Sequence, residues 1–419
     1  MPCTFNLVRA SCAVLILSFT LAPSVFAQCT PGWREGGSFA SLNGQVYALA
    51  VWDSGAGPAL YAGGEFTLAG STTVNHVARW DGVSWHALGT GTDGDVRCFL
   101  DYGGELVVGG SFSTTGGVAA DNLAAWNGAQ WRSLGLQSEY PVCSLGEFRG
   151  ELITGEEGSQ IAYVRASNGN KWREIAFFLY GLPETAALSL VTFDDHLYVG
   201  GSFRSLNGFP ADGSARWNGI TWSVIESYDG GSVTAFGAQH AYRGDLYGGG
   251  YEYHGMGVFG PNFAVFQESD RPPFLFWQSL RNDLIVIRAL EPVNGLLIAG
   301  GYAHFESSEA LAGWDGAHWR FFDFGGGPRW VHAIAKFEGD LVVGGQFDEA
   351  GGIHSPYIAR YACPPCLVDL DNDGFVTRID FDLFVQAFET GDMRSDFDGD
   401  GFLTGIDFDL YVVAFEAAC

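Results

Sequence analysis

Seven times between residues 60 and 347 the chain repeats one short phrase, an apolar run that ends in glycine: LYAGGEF (60–66), LVVGGSF (106–112), LITGEEG (152–158), LYVGGSF (197–203), LYGGGY (246–251), LIAGGY (297–302) and LVVGGQF (341–347). The third copy is eroded, with Glu156 and Glu157 in place of the second glycine and the residue after it. The leading glycines are Gly63, Gly109, Gly155, Gly200, Gly249, Gly300 and Gly344, spaced by 46, 46, 45, 49, 51 and 44 residues. A period of this length commits the chain to a repeat architecture, because one unit cannot bury its own apolar faces and must stack on its neighbours. A second phrase follows in four units: ARWDGVSW (78–85), AAWNGAQW (124–131), ARWNGITW (215–222) and AGWDGAHW (312–319). Asp-Gly or Asn-Gly between two Trp-bearing strands predicts a type I′ hairpin, with positive φ at both central residues.

Four short antiparallel strands every 44 to 51 residues is the pattern of a β-propeller blade. Residues 28–365 divide by seven into units of about 48, which leaves no unassigned domain there. Sixty glycines and 15% aromatic residues suit short strands and tight turns and argue against disorder. The expected fold is mostly β, a seven-bladed β-propeller over 28–363 followed by a small helical domain. The last repeat stops at Cys363 without its final Trp strand, and Cys29-Thr-Pro-Gly-Trp33-Arg34 supplies that piece from the other end. The N-terminal strand is therefore expected to pair into the seventh blade and remove two exposed sheet edges. Cys363 stands where the Asp-Gly turn should be, so a Cys29–Cys363 disulfide would replace the turn and contribute roughly 3–5 kcal/mol through loop closure.

The double glycine and the later Trp resemble those of kelch-like propellers, over nearly all of 28–365. WDGxxW with GG-x-F more closely resembles the propeller repeats of exported bacterial proteins, those of planctomycetes above all. Such motifs specify fold well and function poorly.

Residues 1–27 read as a secretory signal: Arg9, an apolar core from Ala13 to Ala22, and Val25-Phe26-Ala27 before the cleavage point. That core is about half of the roughly 20 apolar residues a bilayer span requires, and no later segment is long enough, so no membrane span is expected after cleavage. Six cysteines then remain, an even number that favours disulfides in an exported chain. Cys98 and Cys143 lie one repeat position out of register, on opposite faces of adjacent blades, and are expected to meet. Cys366 and Cys419 bracket the C-terminal region and are expected to tie its ends. The expected location is extracytoplasmic, secreted or at the cell surface.

Residues 364–419 form a separate domain, and 366–419 carry a net charge of −11 with a duplication 27 residues apart. DLDNDGFVTRID (369–380) matches DFDGDGFLTGID (396–407), each followed by an apolar helical stretch. Asp at positions 1, 3, 5 and 12 with Gly at 6 is the EF-hand calcium arrangement, Asp replacing the usual Glu at the end. Asp369, Asp371, Asp373, the Phe375 carbonyl and Asp380 would hold one Ca2+; Asp396, Asp398, Asp400, the Phe402 carbonyl and Asp407 would hold a second. Phe381, Phe384, Val385 and Phe388, with Phe408, Tyr411, Val412 and Phe415, share helix faces and predict the core between the helices.

The two loops and their single following helices resemble a type I dockerin over all of 366–419. The resemblance implies a module that docks onto a cohesin-like or cell-surface protein, often in polysaccharide degradation. Loop positions 10 and 11 govern partner choice in that family and are often Ser-Thr; this chain has Arg378-Ile379 and Gly405-Ile406.

A net charge of −27 excludes general nucleic-acid binding, which needs a basic surface. No GxSxG, HExxH or phosphate-binding loop occurs, so no catalytic residue is assigned. The fifth unit is irregular over 247–277, where Tyr251, Tyr253, His254 and Trp277 are candidate contacts to a protein or glycan. Two functions follow: a non-catalytic exported binding or scaffold protein held by its calcium module, or a polysaccharide hydrolase or lyase with its site in the propeller channel. Converging carboxylates at the ring centre would favour the second.

Overall fold

A computed structural model describes residues 32–34, 36, 38–179, 185–211, 213–225, 233–254, 257–267, 274–279, 284–303, 310–316, 318–325, 329–362, 370, 378–392, 395, 397 and 402–417; over 251–285 the description covers backbone alone. The chain divides into two compact units, one spanning Pro31–Pro364 and the other containing Pro365–Cys419. The first is built of antiparallel strands. In the first repeat, Val46–Asp53 pairs with Pro58–Gly64, that strand with Val77–Trp80, and that one with Trp85–Ala87. The same order recurs from the first strands Asp95–Tyr102, Val142–Phe148, Thr185–Phe193, Val233–Tyr242 and Leu284–Val293. From Arg329–Phe337 the last repeat runs through Asp340–Gln346 to Ile358–Ala362. Its fourth position is filled by Gly32–Trp33, with Gly32 opposite Ala362 and Trp33 opposite Tyr361.

The glycine phrase has a packing cause. Between first and second strands every ladder carries a β-bulge at one place: Tyr47, Arg97, Cys143, Leu188, Gly237, Arg288 and His332 are the extra residues. The residue after each bulge lies opposite the leading glycine, as Ala48 does opposite Gly63 and Ala333 opposite Gly344. A Cβ on Gly63 would stand 2.4 Å from Val96 of the second repeat, and one on Gly344 would stand 2.5 Å from Val46 of the first. The leading glycine is thus where the next first strand seats, and the last repeat seats on the first. The second glycine meets backbone instead: a Cβ on Gly64 would lie 2.0 Å from the Gln45 carbonyl oxygen.

Fourth-strand tryptophans tie five of the units to the one before. The indole N–H groups of Trp85, Trp131, Trp172 and Trp222 donate to the carbonyls of Phe39, Leu88, Leu134 and Ile175 at 2.7–2.9 Å. Trp33 does the same to Asp323 at 2.7 Å, across 290 residues of sequence, and packs edge-on against Phe324 and Tyr361.

Two expectations need correction. The Trp–Trp hairpins are not type I′, since only the glycine has positive φ (Gly82 at 96°, Gly128 at 96°). The preceding Asp or Asn instead accepts backbone N–H bonds: Asp81 Oδ1 from Val83 and Ser84, Asn127 Oδ1 from Ala129 and Gln130. The side chain does the work that a second left-handed residue would do. The Cys98–Cys143 bridge is also absent, for both thiols are free. Because Cys143 is itself the bulged residue, Cys98 corresponds to Ser144. Each thiol therefore points onward to the next repeat, Cys98 to the Val142 carbonyl and Cys143 to that of Ala187. Cys29, Cys363, Cys366 and Cys419 lie outside the described residues.

In the second unit α1 (Arg378–Thr390) and α2 (Gly405–Ala417) follow the two acidic loops. Phe384 and Tyr411 are fully buried and stack with ring centroids 3.7 Å apart, among Leu370, Phe381, Phe388, Phe397, Phe408 and Phe415. Six of the eight helix-face residues expected from the sequence form this core, Val385 and Val412 staying half-buried outside it, and Ala387 is also buried.

Trp33 is 9% exposed and bonded to the penultimate unit, so Trp33→Ala is expected to destabilise the β unit by about 3–5 kcal/mol in urea unfolding. A change below about 1 kcal/mol would show that the N-terminal strand is dispensable.

Candidate functional site

The repeated bulge aligns one residue per unit, and neighbouring bulge residues lie side by side. Tyr47 meets His332 edge-on at 5.5 Å between ring centroids. His332 stacks on Trp330 at 5.7 Å, and Trp330 stacks on Tyr302 at 4.5 Å. This aromatic row crosses from the sixth repeat through the seventh to the first, and all four rings are half-buried. The Arg288 guanidinium lies 6.0 Å from the Trp330 ring centre. Farther along, Arg97 donates to Glu157 at 3.0 Å, and Tyr47 donates its hydroxyl to Glu65 at 3.1 Å.

Burial governs the titration of the row. It pushes the Tyr47 hydroxyl up to about 12, with Glu65 adding to the effect. It holds the His332 imidazole down to about 4, and the charge of Arg288 lowers it further, so the ring is neutral at physiological pH. Two carboxylates near the row are engaged: Glu157 with Arg97 and Glu65 with Tyr47. In the third repeat, Glu156 takes the place of a second glycine and is completely buried. Burial raises its pKa to about 7, against the pull of Arg165 at 2.5 and 2.6 Å and of the Ser138 hydroxyl at 2.8 Å. A polar cavity of about 320 Å3 lies between the first two repeats, lined by Asn75, His76, Thr92, Asp93 and Thr114. Asp93 there accepts the backbone N–H groups of Ser113 and Thr114, a structural role.

In the helical unit, Asp380 and Asp407 are fully buried. Each accepts the backbone N–H of position 2 of its own loop, Leu370 to Asp380 and Phe397 to Asp407, both at 2.8 Å. Asp407 also accepts from the Thr404 N–H at 2.7 Å. In each copy position 12 therefore closes on position 2. Phe402 is exposed. Asp369, Asp371, Asp373, Phe375, Asp396, Asp398 and Asp400 lie outside the described residues, and no cluster of three metal-ligating side chains occurs among the described ones.

Tyr251, Tyr253 and His254 belong to the strand Asp245–His254 and Trp277 to Phe274–Ser279, so these positions are regular sheet and not an inserted loop. Their side chains lie outside the description. The aromatic row was missed by sequence reasoning, although a signal existed. From the second repeat on, the bulged residue stands 12 positions before the leading glycine each time, as Arg288 does before Gly300.

No family model matches the sequence, and no curated protein does. Among solved structures, the chain is similar to an extracellular domain assigned to a hybrid two-component system of B. thetaiotaomicron, with 14% identity and a TM-score of 0.50. The match covers 80% of this chain and 39% of that one. A second such domain, assigned to a one-component system of the same organism, gives 12% identity and 0.50 over 80% of this chain and 40% of that one. The WD40 β-propeller domain of Doa1 gives 11% identity and 0.44 over 81% and 97%. The chain thus spans about two fifths of the length of the two extracellular domains, and the likeness is one of fold.

His332 gives a pH signature of known sign. The unfolded chain takes up its proton near pH 6.5, whereas the native state resists until about 4. Its stabilising contribution is complete above pH 6.5 and falls as pH drops toward 4. Unfolding midpoints of His332→Gln should accordingly decline less between pH 6.5 and 4 than those of the parent; parallel declines would refute a buried neutral imidazole.

Proposed function

We propose that this protein is an exported, non-catalytic binding component: a seven-bladed β-propeller closed by its N-terminal strand, carried into a larger assembly by a dockerin-like module that binds two Ca2+. One observation carries the docking role. α2 is apolar on both sides: one side is core, and on the other Ile406, Leu410 and Val413 are 59, 41 and 65% exposed, with Phe402 beside them in the loop. Three exposed apolar side chains along one helix side, with the exposed Asp409 among them, form a patch that calls for a partner. In α1 the position matching Val413 is the exposed Gln386, so the second helix is the docking face. Its occupant is a cohesin-like protein module on a cell-surface scaffold, with an apolar contact face and a basic rim to match the net charge of −11.

Calcium fits the residues present. Two buried carboxylates, each held at the mouth of a loop with Asp at positions 1, 3 and 5, would be strongly mutually repelled without a cation. Asp380 and Asp407 would close each coordination sphere from the helix start. The engaged state of Glu65 and Glu157 fits a binding role. Export is supported by the signal-like residues 1–27, and among the described residues no helix is long and apolar enough to cross a membrane.

Calorimetric titration of the mature protein should give two Ca2+ per chain, and Asp380→Ala plus Asp407→Ala should give none. Capture of a surface protein should be lost on chelation and with Val413→Asp, which keeps both ions. Capture indifferent to both treatments would refute the docking role.

A further inference from the structure

The two bulge arginines differ in a way the repeat itself explains. Arg97 of the second repeat is neutralised by Glu157, the residue two positions after the leading glycine of the third. For Arg288 of the sixth repeat, the equivalent position in the seventh is Gln346, which is exposed and uncharged. Arg288 accordingly has no carboxylate partner among the described residues, and its Nε is buried without a hydrogen-bond acceptor. Most other described arginines are bonded to a carboxylate or a carbonyl, as Arg132, Arg149, Arg165, Arg173, Arg329 and Arg360 are. Arg79 shares the buried, unpartnered Nε, but of the arginines at the bulge positions only Arg288 lacks a carboxylate among the described residues.

Its surroundings select the ligand. On one side is the row of Tyr302, Trp330, His332 and Tyr47; on the other is Gly237, which adds no side chain and lies 3.5 Å from the Arg288 Cδ when given a Cβ. His332 is neutral there, so Arg288 is the positive charge of this stretch. Aromatic rings present apolar surface to the C–H faces of a sugar ring, a guanidinium takes a carboxylate in bidentate fashion, and Glu65 accepts hydroxyl groups. We propose that this stretch binds a sugar bearing a carboxylate, a uronic acid unit within a short oligosaccharide, with its carboxylate on Arg288 and its ring along the open edge of the aromatic row that Trp330 holds together. The inference rests on the binding role proposed for the propeller and names its ligand class. A long polyanion is disfavoured by the acidic surface, so a segment of one to three units is the expected occupant.

Calorimetry with trigalacturonate, triglucuronate and trimannuronate, each beside its neutral carboxyl-reduced counterpart, tests this on the full mature chain with calcium present. At least one uronate should bind at least tenfold more tightly than its neutral form, and the preference should weaken with added salt. Arg288→Gln should erase the preference. Gln346→Glu, an exposed change that recreates the Arg97–Glu157 pairing around Arg288, should erase it equally while leaving the aromatic row intact. Trp330→Ala should weaken acidic and neutral sugars alike. Equal affinity for both forms, no binding to any uronate, or a preference unmoved by Gln346→Glu would overturn the proposal. Calcium-dependent capture through Val413 is measured separately, so failure of the sugar site leaves the docking result standing, and the reverse holds too.

Discussion

Everything in the β unit depends on the seat between a leading glycine and the first strand of the following repeat. Val96 against Gly63, Val142 against Gly109, Ile287 against Gly249, Val331 against Gly300 and Val46 against Gly344 are one contact made repeatedly. No side chain fits there, because the distances a Cβ would meet are 2.4–2.7 Å, well inside van der Waals contact. The bulge beside it does the complementary job of bending the first strand, and it consumes one residue per repeat that has no partner in the ladder. Packing thus sets aside one position in each unit, and that position can carry chemistry at no cost to the sheet.

What the units do with the freed position is uneven. Leucine at 188 and glycine at 237 contribute no polar group, Cys143 turns its thiol toward backbone carbonyls, and Arg97 is neutralised by a neighbour. Only on the side where the sixth, seventh and first repeats follow one another do Arg288, His332 and Tyr47 join Trp330 and Tyr302 in a continuous aromatic and cationic stretch. A binding surface of this kind arises by substitution within a fixed frame, as expected of a scaffold that tolerates many functions. Under the proposed function, docking would fall to the helical unit and ligand capture to the bulge row of the β unit.

Much of this was legible because the signals are local. Repeat spacing, the Trp–Trp hairpins and the two 12-residue acidic loops each lie within a window of a few residues, and backbone geometry constrains them there. The missing final strand of the last repeat was also readable, since Trp33 carries the same signature as Trp85 and Trp131 and makes the same indole-to-carbonyl bond. The type I′ assignment failed because Asp81 and Asn127 cap their turns with side-chain oxygens, which the dipeptide alone does not distinguish from a left-handed residue. The Cys98–Cys143 assignment failed because a bulge shifts side-chain direction by one, and strand alternation counted along the sequence takes no account of it.

By itself the sequence determined the spacing of the repeats, the recurring glycine and tryptophan positions, and the apolar faces on which the two helices pair. These follow from periodicity and spacing, which need no knowledge of what lies across an interface. Only the tertiary structure decided that Arg97 meets Glu157, 60 residues on, while Arg288 meets no carboxylate among the described residues, and that apolar side chains on one side of α2 are exposed. The physical reason is that charge compensation and burial belong to pairs of distant residues, and such pairs exist only after neighbouring units have packed.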